Sequence, residues 1–204
     1  MDFQSTLFEA PPTAALGFER LQRRELTDGA WVDVARTWLP DPDDVFATMV
    51  AEVPWRAERR QMYDRVVDVP RLVHTYMIDE PLTHPVLTEA REALSDHYLP
   101  ELLERFRTAG CCYYRDGNDS VAWHGDRIGR GNTHDTMVAI ISVGDPRKLC
   151  LRPRGGGESI AIEMGHGDLV VMGGSCQRTW EHAVPKVSSA GPRISVQFRP
   201  LNVF

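Results

Sequence analysis

A mainly β fold with flanking helices, of the mixed α+β class, is the architecture that this 204-residue sequence predicts. Three observations point to it. From residue 111 onward the chain breaks into short β-branched runs at 111–115, 120–123, 136–143, 148–152, 159–163, 168–172, 179–183 and 193–199, punctuated by glycine. Before that point, two stretches carry apolar residues at helical spacing. No stretch approaches the ~18 apolar residues of a membrane span. Short strands recurring every roughly 8–12 residues are the pattern of an antiparallel sandwich or barrel, of which the jelly roll is one form.

Taken in order, residues 1–16 have unperiodic apolar residues and two prolines, and read as a poorly ordered or draped arm. Residues 17–26 alternate loosely, and 30–38 also look strand-like. Asp41-Pro42-Asp43-Asp44 offers capping carboxylates and an early proline for a short amphipathic helix ending near Pro54. Residues 55–76, rich in arginine, tyrosine and valine, read as strands and loops beside a surface groove. Val86, Leu87, Ala90, Leu94, Tyr98, Leu102, Leu103 and Phe106 then mark a helical run that Pro100 should split or kink. Gly155-Gly156-Gly157 lacks the lysine, hydroxyl and following helix of a phosphate loop, and reads as a hairpin turn. Length and a 42% hydrophobic composition suit one globular domain over 17–204.

The net charge of −6 argues against a protein whose whole surface binds nucleic acid. The cations are unevenly placed, however, and all are arginine except Lys148 and Lys186. Arg56, Arg59, Arg60, Arg65 and Arg71 form one group, and Arg147, Lys148, Arg152 and Arg154 another, so a local basic track is possible. Cys111, Cys112, Cys150 and Cys176 show no C-x-x-C spacing and read as reduced, small buried hydrophobes. The first residues lack the basic-then-apolar order of a signal peptide, so a cytoplasmic location is expected.

The chemistry concentrates in His124-Gly125-Asp126, His182, Arg193 and Arg199. On a strand, residues two apart project to one face, so His124 and Asp126 would face the same way. A second imidazole, His182, from a distant strand completes a three-cornered set. Two imidazoles and one carboxylate with open positions beside them are the facial arrangement for non-haem Fe(II) in oxygen chemistry. Arg193 and Arg199, an even spacing apart, share a strand face and suit a dicarboxylate. Triad plus clamp points to an Fe(II) oxygenase using 2-oxoglutarate and O2.

The residues also carry a resemblance. Tyr114-Arg115-Asp116-Gly117, His124-Gly125-Asp126, His166-Gly167-Asp168-Leu169, Gly173-Gly174, Trp180-Glu181-His182 and Arg193-Ile194-Ser195-Val196-Gln197-Phe198-Arg199 together resemble the AlkB family of oxygenases. Val69-Pro70-Arg71-Leu72-Val73-His74-Thr75-Tyr76 is similar to the family's lid segment, so the likeness runs over about 69–200. It implies a double-stranded β-helix (jelly roll) core over about 108–204, N-terminal helices packed on one sheet, and a lid-like segment over about 55–80. It implies iron ligation by His124, Asp126 and His182. Arg193 matches the partner of the distal 2-oxoglutarate carboxylate, Arg199 the arginine near its chelating end, and Tyr114 a co-substrate hydrogen-bonding tyrosine. Ser195 lies in the co-substrate pocket, and Arg71, Tyr76 and Arg127 fall at substrate positions.

Departures from the family pattern are local. Cys112 stands for an asparagine, Ser195 and Gln197 for an asparagine and a threonine, and Arg127-Ile128-Gly129 for an acidic pair near the target base. The activity implied is oxidative dealkylation of N-alkylated bases in DNA or RNA, with succinate, CO2 and formaldehyde released, by a monomer with no membrane partner. Trp55, Tyr63 and Tyr76 are candidate stacking surfaces for a base. The alternatives are the same oxygenase chemistry on a protein side chain or small metabolite, and a non-catalytic metal- or ligand-binding β-barrel.

Overall fold

The computed structural model describes residues 16–62, 65–78, 80–127 and 129–203. The expected N-terminal arm up to residue 15, Tyr63, and the side chains of Arg60 and Arg65 lie outside the described residues. Strands β1 (Gln22–Glu25) and β2 (Ala30–Ala35) lead into helix α1 (Pro42–Glu52), then the long hairpin β3 (Arg56–Met62) and β4 (Arg65–Tyr76), then helix α2 (Pro85–Leu102). The rest is β5 (Thr108–Tyr114), β6 (Val121–His124), β7 (Val138–Gly144), β8 (Arg147–Pro153), β9 (Ile160–Met164), β10 (Asp168–Gly174), the single turn α3 (Cys176–Thr179), β11 (Trp180–Val184) and β12 (Arg193–Arg199). Each run expected from residue 111 onward is therefore a strand, with ends shifted by a few residues.

The strands form two antiparallel sheets. The larger has the order β1-β2-β10-β7-β12-β5-β4-β3, and the smaller β6-β11-β8-β9. Period-two alternation divides the interior in two. One face of the large sheet, with Val32, Val138, Ile140, Val170 and Met172, packs on Leu149, Leu151, Met164 and Val184 of the small sheet. The other face, with Trp31, Ile141, Val171, Ile194 and Phe198, is covered by Val45 and Met49 of α1 and Leu87, Ala90 and Leu94 of α2. This is the expected jelly roll with helices on one sheet. Each buried leucine contributes about 1.5–3 kcal/mol to that seal.

Local chemistry explains where the sequence reading needs correcting. Asp41 does not cap α1 with its side chain: its φ of 46° is left-handed, and its carbonyl instead accepts from Asp44 and Val45 N–H. Pro42 still opens the helix, with Asp43 and Asp44 in its first turn. Pro100 does not split α2, because it falls in the last turn and the helix ends two residues later against left-handed Leu103 (φ 62°). Tyr98 Oη donates to buried Asp33 at 2.8 Å, and Arg23 grips both oxygens of the same carboxylate, fastening α2 to β2. Gly155, Gly156 and Gly157, with φ of 87°, 101° and 136°, turn the β8–β9 hairpin as expected. The four cysteines are free. No described helix is long and apolar enough to cross a membrane.

Candidate metal and co-substrate site

β6 and β11 are neighbours in the small sheet, and His124 and His182 are direct register partners across them, with ring centroids 4.2 Å apart. His124 Nδ1 lies 2.8 Å from the Ala122 carbonyl, which as acceptor fixes the tautomer and leaves Nε2 free as a ligand atom. Asp126 is not on the same strand as His124, since β6 ends at His124. The carboxylate is aimed by other contacts instead. The Asp126 backbone N–H donates to Gln177 Oε1 (3.0 Å), and the carboxylate Oδ2 accepts from Arg199 Nε (2.8 Å). Its Oδ1 lies 3.8 Å from His124 Nε2. Ligand atoms of His124, Asp126 and His182 lie within 4.8 Å of one another.

The electrostatics prepare this trio for a cation. Burial alone would push the Asp126 carboxyl up, but Arg199, His182 and His124 hold it down at about 2. Burial, reinforced by His124, pushes His182 down to about 3. At neutral pH the trio therefore offers an ionised carboxylate and a neutral buried imidazole. Such nitrogen and oxygen donors suit Fe(II).

β12 supplies the second half of the site. Arg193, Ser195, Gln197 and Arg199 share its inner face, and β5 sets Tyr114 and Cys112 opposite Arg193 and Ser195. Arg193 is only 2% exposed. Its Nε donates to Ser142 Oγ at 2.8 Å, while Nη1 is buried with no hydrogen-bond partner. No described carboxylate pairs with it, and burial pushes its pKa down. A sequestered guanidinium with an open donor is a receptor for an anion. Its centre lies 5.1 Å from the Tyr114 ring, and burial pushes the Tyr114 phenol up to about 12, so it stays protonated. Ser195 Oγ accepts from Gln197 Nε2 at 2.5 Å.

These side chains and the two imidazoles line an inner cavity of about 90 Å³, walled by Ile140, Leu149 and Met164. It opens into a cleft of about 840 Å³ between β4 and the β6–β11 edge. Arg71, Cys112, His124, Gln197 and Arg199 stand at the junction and line both. Arg71 donates through Nε to Cys112 Sγ and through Nη1 to the Ser120 carbonyl, each at 3.2 Å.

Three residues expected near substrate lie elsewhere. Tyr76 is turned to the opposite face of β4, buried in the core under the helices and hydrogen-bonded to Thr83. Trp55 packs on Tyr113 and donates to the Met49 carbonyl. Arg127 is exposed, beyond both cavity walls. Part of the basic track is also spent internally. Arg147 is buried and donates to the carbonyls of Asp116, Asp119 and Pro185.

Two positioning residues were not read from sequence. Gln177 holds the Asp126 backbone, and no linear signal marks it. Gly125 does carry one, a minimal residue between two ligands. A β-carbon there would lie 2.6 Å from the Gln177 carbonyl oxygen.

Comparison with known proteins agrees with this geometry. The family model described as the 2OG-Fe(II) oxygenase superfamily matches residues 40–199. Among curated proteins, alpha-ketoglutarate-dependent dioxygenase alkB homolog 3 of Bos taurus is 31% identical over 79% of this chain and 62% of its own length. The Homo sapiens protein of that name is 29% identical over 78% and 61%. The DNA oxidative demethylase ALKBH2 of Arabidopsis thaliana is 31% identical over 47% of this chain and 38% of its own. This chain thus spans about three-fifths of the length of the alkB homolog 3 proteins it matches. The solved structure of OsALKBH1 superposes with a TM-score of 0.58 at 12% identity, covering 88% of this chain and all of that one, which bears on fold alone. The matched span carries β6, β11 and β12, which bring His124, His182, Arg193 and Arg199 to the inner cavity, and the chain accordingly belongs to the 2OG-Fe(II) oxygenase superfamily as an AlkB-like member.

Proposed function

We propose that this chain is a dioxygenase that oxidatively dealkylates N-alkylated bases in DNA or RNA. The observation that carries this reading is the junction of the two cavities. His124 and His182 of a trio suited to Fe(II) line the inner one beside the buried Arg193 cation, and a cleft large enough for a nucleobase, lined by Asp126 and His124, opens directly onto them. The relatives named as alkB homolog 3 and as a DNA oxidative demethylase support the substrate class.

His124, Asp126 and His182 would hold the iron. Bound Fe(II) with 2-oxoglutarate and O2 supplies the oxidising power to hydroxylate a carbon attached to nitrogen, after which the hemiaminal releases an aldehyde. Arg193 neutralises the far carboxylate, and the protonated Tyr114 phenol stands beside it as a donor. Arg199 couples the near end of that pocket to Asp126. Ile140, Leu149, Met164 and Val184 give the inner cavity an apolar wall beside its charged groups, which strengthens the charge interactions there. A base presented from a duplex must first leave the stack, at a cost of a few kcal/mol that is least for a damaged, poorly paired one.

The test incubates purified protein with Fe(II), ascorbate and 2-oxoglutarate against N-alkylated DNA and RNA oligonucleotides, reading base mass and formaldehyde. Loss of the alkyl mass with matched formaldehyde is expected. Succinate formed without change to any oligonucleotide would overturn the substrate assignment. It would favour the second reading, a protein side chain or small metabolite. One observation favours that reading: Arg147 is committed to backbone carbonyls and Arg152 to Glu181, which reduces the cationic surface left for phosphates.

A further inference from the structure

We infer that Arg152 is a positioning residue for the metal centre, acting from the outer face of the small sheet on both histidine ligands at once; this rests on the trio being a metal site. The two histidines sit on adjacent strands, but the ladder between those strands is irregular. His182 pairs with His124 and Val184 with Val121, so β6 carries one extra residue between the two pairs. β6 is also only four residues long and lies at the edge of its sheet. A bulge on a short edge strand leaves backbone pairing a poor guarantee of where His124 points.

Arg152 supplies the missing restraint. It lies on β8, on the far side of β11 from β6. Its guanidinium reaches across the intervening strand. Nε and Nη2 both donate to Glu181 Oε2, at 3.1 and 2.9 Å, and the same group stacks 4.3 Å from the centre of the Trp123 ring. Glu181 immediately precedes His182, and Trp123 immediately precedes His124. Neighbours on a strand point to opposite faces, so one planar cation behind the sheet fixes two residues whose successors meet in front of it. Arginine is required for this: its flat fork serves a carboxylate edge-on while its face lies on an indole, which a lysine ammonium cannot do together.

The test is an anaerobic titration with Co(II) alone, whose visible d–d absorption reports ligand geometry, followed for wild type, Arg152→Met, Arg152→Lys and Glu181→Gln. Thermal midpoints are measured without metal. Wild type should bind Co(II) and lose that binding in His182→Ala; if it does not, the metal reading itself fails, separately from this one. Arg152→Met should weaken Co(II) by about 10- to 100-fold and alter the band shape, as loss of a partner behind the ligands does. Arg152→Lys, which keeps charge and stem, should fall between. Unchanged affinity and band shape in Arg152→Met would overturn the inference. If that variant does not fold, unchanged values in Arg152→Lys and Glu181→Gln would overturn it equally.

Discussion

Arg199 Nε donates to Asp126 Oδ2 at 2.8 Å, tying the arginine proposed for the co-substrate to the carboxylate of the metal trio. Both groups are largely buried, and Arg199 is the largest of the influences that keep Asp126 ionised against the cost of its burial. Removing one member of a buried pair leaves the other charge uncompensated. Arg199→Ala should therefore destabilise the metal-free protein by about 3–5 kcal/mol. It should also weaken divalent metal and 2-oxoglutarate together. Denaturant unfolding and separate titrations of the two ligands check this, and an effect on 2-oxoglutarate alone would contradict the coupling.

Arg193 should behave in the opposite way. It is a buried cation without a described carboxylate, so it should cost stability until an anion binds. Arg193→Met is expected to leave the apoprotein within about 1 kcal/mol of wild type, or to stabilise it, because an uncompensated buried charge is replaced by an apolar side chain. Wild type at 2-oxoglutarate concentrations a hundredfold above Kd should gain about 2.7 kcal/mol, a gain the variant lacks. Thermal shifts with and without 2-oxoglutarate decide it.

What was legible in the sequence was whatever depends on period and type. The β-runs alternate, so Arg193 and Arg199 could be placed on one strand face from their spacing alone. His182 could be joined to His124 because their order fits a strand, intervening sheet and return strand, and because both match the family resemblance. What depends on the chain crossing itself was not legible. Tyr76 alternates into the helix-covered core because α2 packs on that face of β4. Trp55 meets Tyr113 because its indole N–H is held by the Met49 carbonyl of α1. Asp126 lies past the end of its strand, aimed by Gln177 from a distant turn, and Arg147 looks like a surface cation until three carbonyls close round it.

Gly125 is fixed by backbone, not by side chains that can swing aside. A β-carbon there would lie 2.6 Å from the Gln177 carbonyl oxygen and 3.3 Å from that of Trp180. Gly125→Ala should cost about 1–3 kcal/mol and weaken metal binding, since the displaced residues are ligands on either side. Gly156→Ala is the control. Nothing lies within 4 Å of its β-carbon and only its φ of 101° is strained, so stability should fall while metal affinity holds.

Acid should unfold the metal-free protein through the same residues that bind metal. His182 titrates at about 3 when folded against an ordinary 6.5, and Asp126 at about 2 against 3.8. Between each pair of values the unfolded chain binds more protons, so stability rises with pH. The Asp126 contribution is complete above 3.8 and lost as pH falls towards 2. The His182 effect is a loss that grows as pH drops from 6.5 towards 3. The expected result is a thermal midpoint falling between pH 6.5 and 4 by the equivalent of a few kcal/mol. His182→Gln should flatten that slope, and an unchanged slope in the variant would contradict the assignment.

Cys112 offers a chemical readout of the pocket. It is half-buried at the junction of the two cavities, with Sγ accepting from Arg71 Nε and 3.9 Å from Gln197 Oε1. Its neighbour Cys111 faces the other core, and burial pushes that thiol, like that of Cys176, well up. A thiolate is the reactive form, so both should resist alkylation at neutral pH. Iodoacetamide is expected to modify Cys112 ahead of Cys111 and Cys176. Mn(II) with 2-oxoglutarate should slow that reaction by filling the space in front of the sulfur. Cys150, on the small sheet and outside both cavity walls, serves as an internal reference whose labelling the co-substrate leaves alone. Peptide mass analysis reads all four sites at once. Equal Cys112 labelling rates with and without the co-substrate would place the anion pocket somewhere other than between Arg193 and Arg199.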